Sequence, residues 1–503
     1  MTISKKNNYA INASIFILAS TCLLILFVPS TSLAQEQKSA QLVPLNPEFV
    51  RYNQNIRTYG IQNMTAGGHA LGYIPSPINV SHISTLPARS LASVAIVAAP
   101  QSYDLRTSGK LTAVRDQGQC GSCWTFGTMS SLESYLLPAE TWDFSENNLK
   151  NTSGFDMGHC YGGNAFMSTA YLSRWSGPVK EVDDPYSVYS SLSPTGLPAR
   201  KHIQEVFFIP ERTNSTDNDT IKQIIMTYGA IYTTMYMNES TPYYNATTSS
   251  YYYNGSAYSN HAVAIVGWDD NYSSSNFSIT PSANGAFIIR NSWGAAWGVG
   301  GYFYISYYDT NVGKSNAIFI GAQPTTNYAR IYQYDPLGAT STLGYSSNTA
   351  WFANIFTAEA SERLAAVSFY TVASNSTYTM MIYTNTSSLP NSGTLAESIS
   401  GTIAFAGYHT ITLPNSIPLT SGKKFSIVAQ LTTPGYNFPI TIESPVPGYS
   451  GRAVAGGGQS YISSSGTLWT DLTNNYANSN VCLKAFTTNT TNIPSPPILK
   501  SIQ

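Results

Sequence analysis

The sequence predicts an α+β region followed by an all-β sandwich or jelly roll, from two patterns that meet near residue 325. From residue 100 to about 321, helix-like and strand-like runs alternate. Beyond Gln323-Pro324-Thr325-Thr326-Asn327 the chain turns to short β-type segments, at 364–371, 378–383, 402–405, 409–413, 424–431 and 438–442. Turn clusters such as Pro390-Asn391-Ser392-Gly393 and Ser421-Gly422 separate them, which is the punctuation of a sandwich. No fixed-period repeat is present. The expected organisation is an export signal (1–34), a leader (35–99), the α+β domain (100–322), the β domain (328–488) and a Thr/Asn/Pro-rich tail (489–503) that composition marks as disordered.

The export signal rests on Lys5 and Lys6, the apolar run 15–28 and the small residues Ser32-Leu33-Ala34. That run is short for a bilayer span, which favours cleavage near Gln35 over an uncleaved anchor. No second stretch is long enough to cross a membrane, so a secreted or cell-surface protein is expected. The leader carries turn signals at Ala66-Gly67-Gly68 and Pro75-Ser76-Pro77 and no long amphipathic helix. Charged residues are only 10% and net charge is −1, so nothing points to nucleic acid or an anionic membrane as partner. Asn-x-Ser/Thr sequons permit glycosylation without establishing it.

The stretch richest in chemistry is Gln117-Gly118-Gln119-Cys120-Gly121-Ser122-Cys123-Trp124-Thr125-Phe126. Residues 124–137 read as a helix ended by Pro138, with Phe126, Met129, Leu132, Leu136 and Leu137 near one face. Cys123 then sits at the helix's N-terminus, where the dipole and free N–H groups favour a thiolate. A thiolate is the competent nucleophile. An isolated Cys-x-x-Cys would read as a redox or metal pair; the Gly-Ser filler and the following Trp fit another pattern better.

Cys120-Gly121-Ser122-Cys123-Trp124 resembles the signature of the papain-like cysteine peptidases, in which the second cysteine attacks. Two distant segments strengthen the resemblance. Ser259-Asn260-His261-Ala262-Val263-Ala264 is similar to the family's histidine strand, and Asn291-Ser292-Trp293-Gly294-Ala295-Ala296-Trp297-Gly298 to its asparagine segment. His261 falls within the usual spacing of roughly 130–150 residues from the nucleophile. Asn291 lies beyond it, for which the polar loop 269–284 accounts. The resemblance spans about residues 100–321.

It implies a helical lobe and a β-rich lobe meeting at a cleft. It also implies roles. His261 would take the thiol proton, and Asn291 would orient the imidazole. Trp293 would shield that bond, and Gln117, in preference to Gln119, would hold the oxyanion with the Cys123 N–H. Gly162 and Gly163 would pair with an extended substrate, Trp297 would wall the leaving-group side, and Cys120 would bridge to Cys160. Ser145 and Pro185 look structural, as a helix cap and a turn. The chain departs from the family at 150–152, where a further cysteine is missing. It departs again in the leader, which lacks a long charged helix, so whether residues 35–99 block the cleft stays open. Cys482 reads as a buried apolar residue, and His159 receives no role.

The C-terminal region looks like the lectin-like β domain that accompanies such peptidases in some prokaryotic surface proteins. Surface glycans are therefore an expected partner beside peptide substrates. Tyr378, Trp469 and Tyr476 are assigned to core packing ahead of sugar stacking, and no sugar-binding residue is named. No metal or organic cofactor is implied. The reading is a secreted cysteine endopeptidase working through an acyl-enzyme. Its rivals are an adhesin that keeps the peptidase fold as scaffold, and a thiol acyl transferase or ligase.

Overall fold

The computed structural model describes residues 39–59, 64–65, 67–85, 98–240 and 242–489. The expected export signal and the tail beyond 489 lie outside them. Helix α2 (Cys123–Leu136) is the element around which the first half is built. It is buried on nearly every face because Gly127, Thr128, Ser130, Ser131 and Ser134 are small enough for neighbours to close in. A Cβ on Gly127 would stand 2.9 Å from the Tyr232 ring. The helix stops at Leu137, whose ψ of 148° is the extended geometry that the following proline imposes. Helices α3 (Glu146–Thr152) and α4 (Ala165–Ser173) pack beside it. Each starts at a polar cap: the Ser145 hydroxyl accepts from the Asn148 N–H, and Asn164 accepts from the N–H groups of Phe166 and Met167.

On the other side of α2 lies an antiparallel run in the order His202–Ile209, Lys314–Gln323, Ile231–Met235, His261–Asp269, Ala286–Arg290 and Tyr302–Ser306. The strand His261–Asp269 is buried along nearly its whole length. Helix α5 (Asp219–Tyr228) covers part of this sheet. A helical lobe and a β-rich lobe therefore meet along α2.

The sheet does not end there. His202–Ile209 pairs antiparallel with Ala406–Leu419, through Val206 to Tyr408 and Glu205 to His409. Beyond that strand the same 13-stranded sheet continues into Glu362–Thr371, Leu483–Thr488 and Arg330–Tyr332. A second, six-stranded sheet runs Thr394–Ile403, Ser376–Thr384, Lys424–Thr432, Thr349–Thr357, Ser460–Ser463 and Thr470–Asp471. Between the C-terminal strands of the two sheets lies a core that includes Leu343, Phe352, Phe356, Leu364, Val367, Phe369, Met380, Phe425 and Ile427. This is the predicted all-β domain. Tyr378 and Tyr476 pack against that core and Trp469 against a neighbouring cluster. The expected segment 402–405 only overlaps the end of a longer strand, Thr394–Ile403, and 409–413 lies inside another, Ala406–Leu419.

The leader corrects one expectation: it contains a helix, α1 (Pro47–Tyr59). Its apolar residues are too few to signal a stripe, and tertiary contacts anchor it instead. Phe49 meets Tyr449 edge-on at 5.6 Å, and Arg51 lies 4.4 Å over the Tyr258 ring. Before it, Gln41–Leu42 adds an edge to the small sheet of Ser341–Gly344, Ile440–Glu443 and Asn480–Val481. After it, His82 stacks on Tyr436 at 4.1 Å. The leader is thus held at both ends by the C-terminal domain. No helix among the described residues is long and apolar enough to cross a membrane.

Candidate active site

Cys123 is the first residue of α2, and His261 opens the strand packed against it. The fold brings the two side by side: the N–H of Ala262, next to His261, donates to Cys123 Sγ at 3.3 Å. On the next strand's exit, Asn291 Oδ1 accepts from His261 Nε2 at 2.8 Å and from the Ser292 N–H at 2.9 Å. An amide oxygen can only accept, so Nε2 carries the proton and Nδ1 keeps its lone pair. His261 Nδ1 has no hydrogen-bond partner. An unpaired ring nitrogen of this tautomer can take a proton from a neighbouring thiol. Trp293 covers the imidazole, ring centres 4.9 Å apart.

Gln117 is fully buried. Its Oε1 accepts from the Ser292 hydroxyl at 2.5 Å, which turns Nε2 toward the nucleophile's loop. There Nε2 donates to the Cys120 carbonyl at 2.8 Å and to the Ala70 carbonyl at 3.1 Å. Gln119 lies outside this arrangement and donates to the Gly68 carbonyl. A disulfide joins Cys120 to Cys160. Cys482 is buried and unbridged.

The leader fills the cleft. Read from N to C, Thr65 and His69 reach Glu239 first. The Ala70 carbonyl then receives Gln117 Nε2 and the Trp293 indole N–H. The Gly72 N–H faces Cys123 Sγ. The Tyr73 N–H donates to the Asn260 carbonyl, and Tyr73 forms a parallel bridge with Gly163. In that bridge Gly163 donates to the Gly72 carbonyl and accepts from the Ile74 N–H. Side chains are excluded where the chains cross. A Cβ on Gly72 would lie 2.2 Å from the Gly121 carbonyl oxygen, and one on Gly162 would lie 2.6 Å from the Gly72 carbonyl.

Burial under the leader sets the protonation states. It pushes the Cys123 thiol up to about 12 against the surrounding N–H groups, and His261 down to about 4 despite the bond to Asn291. In this covered state both groups are neutral at pH 7. The helix N-terminus that should favour a thiolate is outweighed by loss of solvent.

The sequence pattern did not single out Glu239, Ser292 or the leader residues Thr65 and 69–74, and read Gly67 and Gly68 only as part of a turn. Nothing in the spacing of Glu239 marks it; Ser292 stands inside the asparagine segment and was legible only as part of it. Of the first turn signal in the leader, Gly67 and Gly68 lie where the chain passes Glu239. His159 keeps no role.

Comparison with known proteins follows the same division. Residues 99–321 match the family model described as papain family cysteine protease, and residues 331–487 match the lectin like domain. The chain carries a papain-family cysteine protease domain followed by a lectin-like domain. Among curated relatives, it is 30% identical over 232 residues to a cysteine protease of Blomia tropicalis, covering 44% of this chain and 65% of that protein. Less than two thirds of that relative is therefore spanned. Cysteine proteinase 3 of Entamoeba histolytica is 28% identical over 281 residues, covering 53% and 80% of the two chains. Among solved structures, the cysteine protease and lectin-like domains of Cwp84, a surface layer associated protein of Clostridium difficile, superpose with a TM-score of 0.75. The identity is 26%, over 90% of this chain and 99% of that one. The same clostridial protease after propeptide cleavage gives 0.69 at 28% identity, over 77% and 99%.

Proposed function

We propose that the chain is a cysteine endopeptidase that hydrolyses peptide bonds outside the cell and is stored closed by its leader. The observation that carries the reading is the meeting of Cys123 at the tip of α2 with the His261–Asn291 pair, whose 2.8 Å bond fixes the basic tautomer. With the leader displaced and water admitted, His261 Nδ1 takes the Cys123 proton, and Sγ attacks the substrate carbonyl carbon. The resulting oxyanion is held by Gln117 Nε2 and the Cys123 N–H. His261 then returns the proton to the leaving amine as the C–N bond breaks. Water, deprotonated by His261, attacks the thioester, and the carboxylic acid leaves as Sγ regains a proton.

The closed state follows from direction. A substrate amine must lie beside His261, under Trp293 and Trp297, and its acyl half beside Gly163. The leader runs the other way, with Thr65, His69 and Ala70 on the amine side and Tyr73 and Ile74 at Gly163. Its peptide bonds meet the nucleophile reversed and are not turned over.

Cys123→Ala is the test. Cleavage of a fluorogenic peptide library by the leader-free protein should fall by a factor on the order of 10⁶, with the thermal midpoint kept. Undiminished cleavage by the variant ends the proposal. Added amine acceptors would divert the products if the acyl-enzyme served a transferase. For the C-terminal domain we propose carbohydrate as ligand. Support comes from its lectin-like description and from a groove of about 400 Å³ lined by Thr377, Thr379, Ser400, Gln430 and Thr432. Absence of any signal on a glycan array would remove that assignment.

A further inference from the structure

We infer that Glu239 selects the residue on the leaving-group side of the scissile bond, and that the peptides it favours carry a lysine or arginine there. The inference rests on the peptidase reading above.

The leaving amine must lie within reach of His261. On that side Trp293 covers the imidazole, and Trp297 packs edge-on against Trp293, 5.0 Å away at 90°. Tyr244 stacks on the other part of Trp297 at 5.1 Å. Glu239 stands at this wall, and its two oxygens have different partners. Oε1 accepts from the Trp297 indole N–H at 3.1 Å, a bond within the body of the enzyme. Among the described residues Oε2 is held only by the leader, through the Thr65 hydroxyl and His69 Nδ1, the latter at 2.8 Å. The leader is shaped around that oxygen: a Cβ on Gly67 would stand 2.5 Å from it.

When the leader departs, Oε2 loses both partners while Oε1 stays fixed on Trp297. Among the described residues no lysine or arginine pairs with Glu239, whose salt-bridge contact is to His69 of the leader. The result is an oriented carboxylate at the end of an aromatic wall, beside the point where the leaving amine emerges. A long side chain with an apolar stem and a cationic head matches such a place: the stem lies along Trp297 and the head meets Oε2. A glutamate there would face like charge.

The test uses the leader-free protein and internally quenched peptides that share one acyl half. They carry Lys, Arg, Ala or Glu at the first or second leaving-side position. Wild type should cleave the Lys and Arg peptides with kcat/KM about tenfold or more above Ala, and Glu below Ala. Glu239→Gln should bring the Lys-to-Ala ratio close to one, and Glu239→Asp should keep part of it. If Glu239→Gln does not fold, wild type still answers, because added salt should shrink the same ratio. A flat profile in an active wild type overturns the inference, as does an undiminished ratio in Glu239→Gln. A wild type that cleaves none of the peptides overturns the peptidase reading instead.

Discussion

The backbone carbonyl of Ala70 and the side-chain amide of Gln117 meet at 3.1 Å. The donor proposed to hold a substrate's oxyanion is therefore already engaged by a peptide bond of the leader. The Trp293 indole N–H adds a second bond to the same oxygen at 3.2 Å. In the proposed closed state the leader would occupy the electrostatic machinery and keep water from Cys123 and His261.

Gly72 is the residue on which that occupation turns. Gly72→Ala places a methyl group 2.2 Å from the Gly121 carbonyl oxygen, a backbone atom with little room to yield. Overpacking of this kind costs about 1–3 kcal/mol, so the uncut chain should open roughly five- to 150-fold more often. Peptidase assays on the full-length, unprocessed protein should show the gain, whereas equal latency in the two chains would mean the leader is held elsewhere.

Asn291 is proposed to act through His261, to which it is hydrogen-bonded. Asn291→Ala removes the acceptor that keeps the proton on Nε2, and the ring can then rotate or change tautomer. We expect kcat to fall about 10²-fold with KM little changed, since no substrate contact is lost. A change confined to KM would point instead to a distorted cleft.

The Cys120–Cys160 bridge closes a separation of 40 residues and ties the loop before Cys123 to the Gly162-Gly163 segment. Replacing both cysteines by serine should lower stability by roughly 2–4 kcal/mol. Denaturant unfolding of the Cys123→Ala background reads this without self-digestion, and an unchanged midpoint would assign the bridge no share in stability.

Stability should decline as pH rises from 6.5 to 7.5. Burial raises Glu133 and Glu205 to about 7 and Glu443 to about 8, so the folded chain holds protons that the unfolded chain has released. For a group with a raised pKa that contribution is complete at acid pH and is lost as pH climbs through the folded value. His202, His261 and His409, pushed down to about 4 by burial, act the opposite way, an effect that fades as pH rises past their ordinary value of 6.5. Within the stated window the carboxylates decide the sign. Thermal melts across it that rise instead of fall would refute the assignment.

Much of the site was legible because its parts are local words. The loop and helix start around Cys123, the opening of the histidine strand and the asparagine segment each announce themselves within ten residues. The β domain was legible from its punctuation. What stayed hidden depends on long-range register. Nothing in Val206 or Tyr408 says that they pair. Helix α1 escaped notice because Phe49 and Arg51 find their partners at Tyr449 and Tyr258, far along the chain. The leader's path through the cleft is a matter of backbone contacts, made by Gly72 and Gly163 without side chains. Glu239 gains its place from Trp297 and His69, which no spacing rule connects.

The pairing of His202–Ile209 with Ala406–Leu419 has one more consequence. It makes the peptidase half an inseverable part of its neighbour rather than a detachable cutting head. A chain cut short near residue 325 would leave the backbone groups of residues 205–208 unpaired along a bare sheet border, open to any strand that came by. The papain-family half and the lectin-like half thus share a single woven sheet.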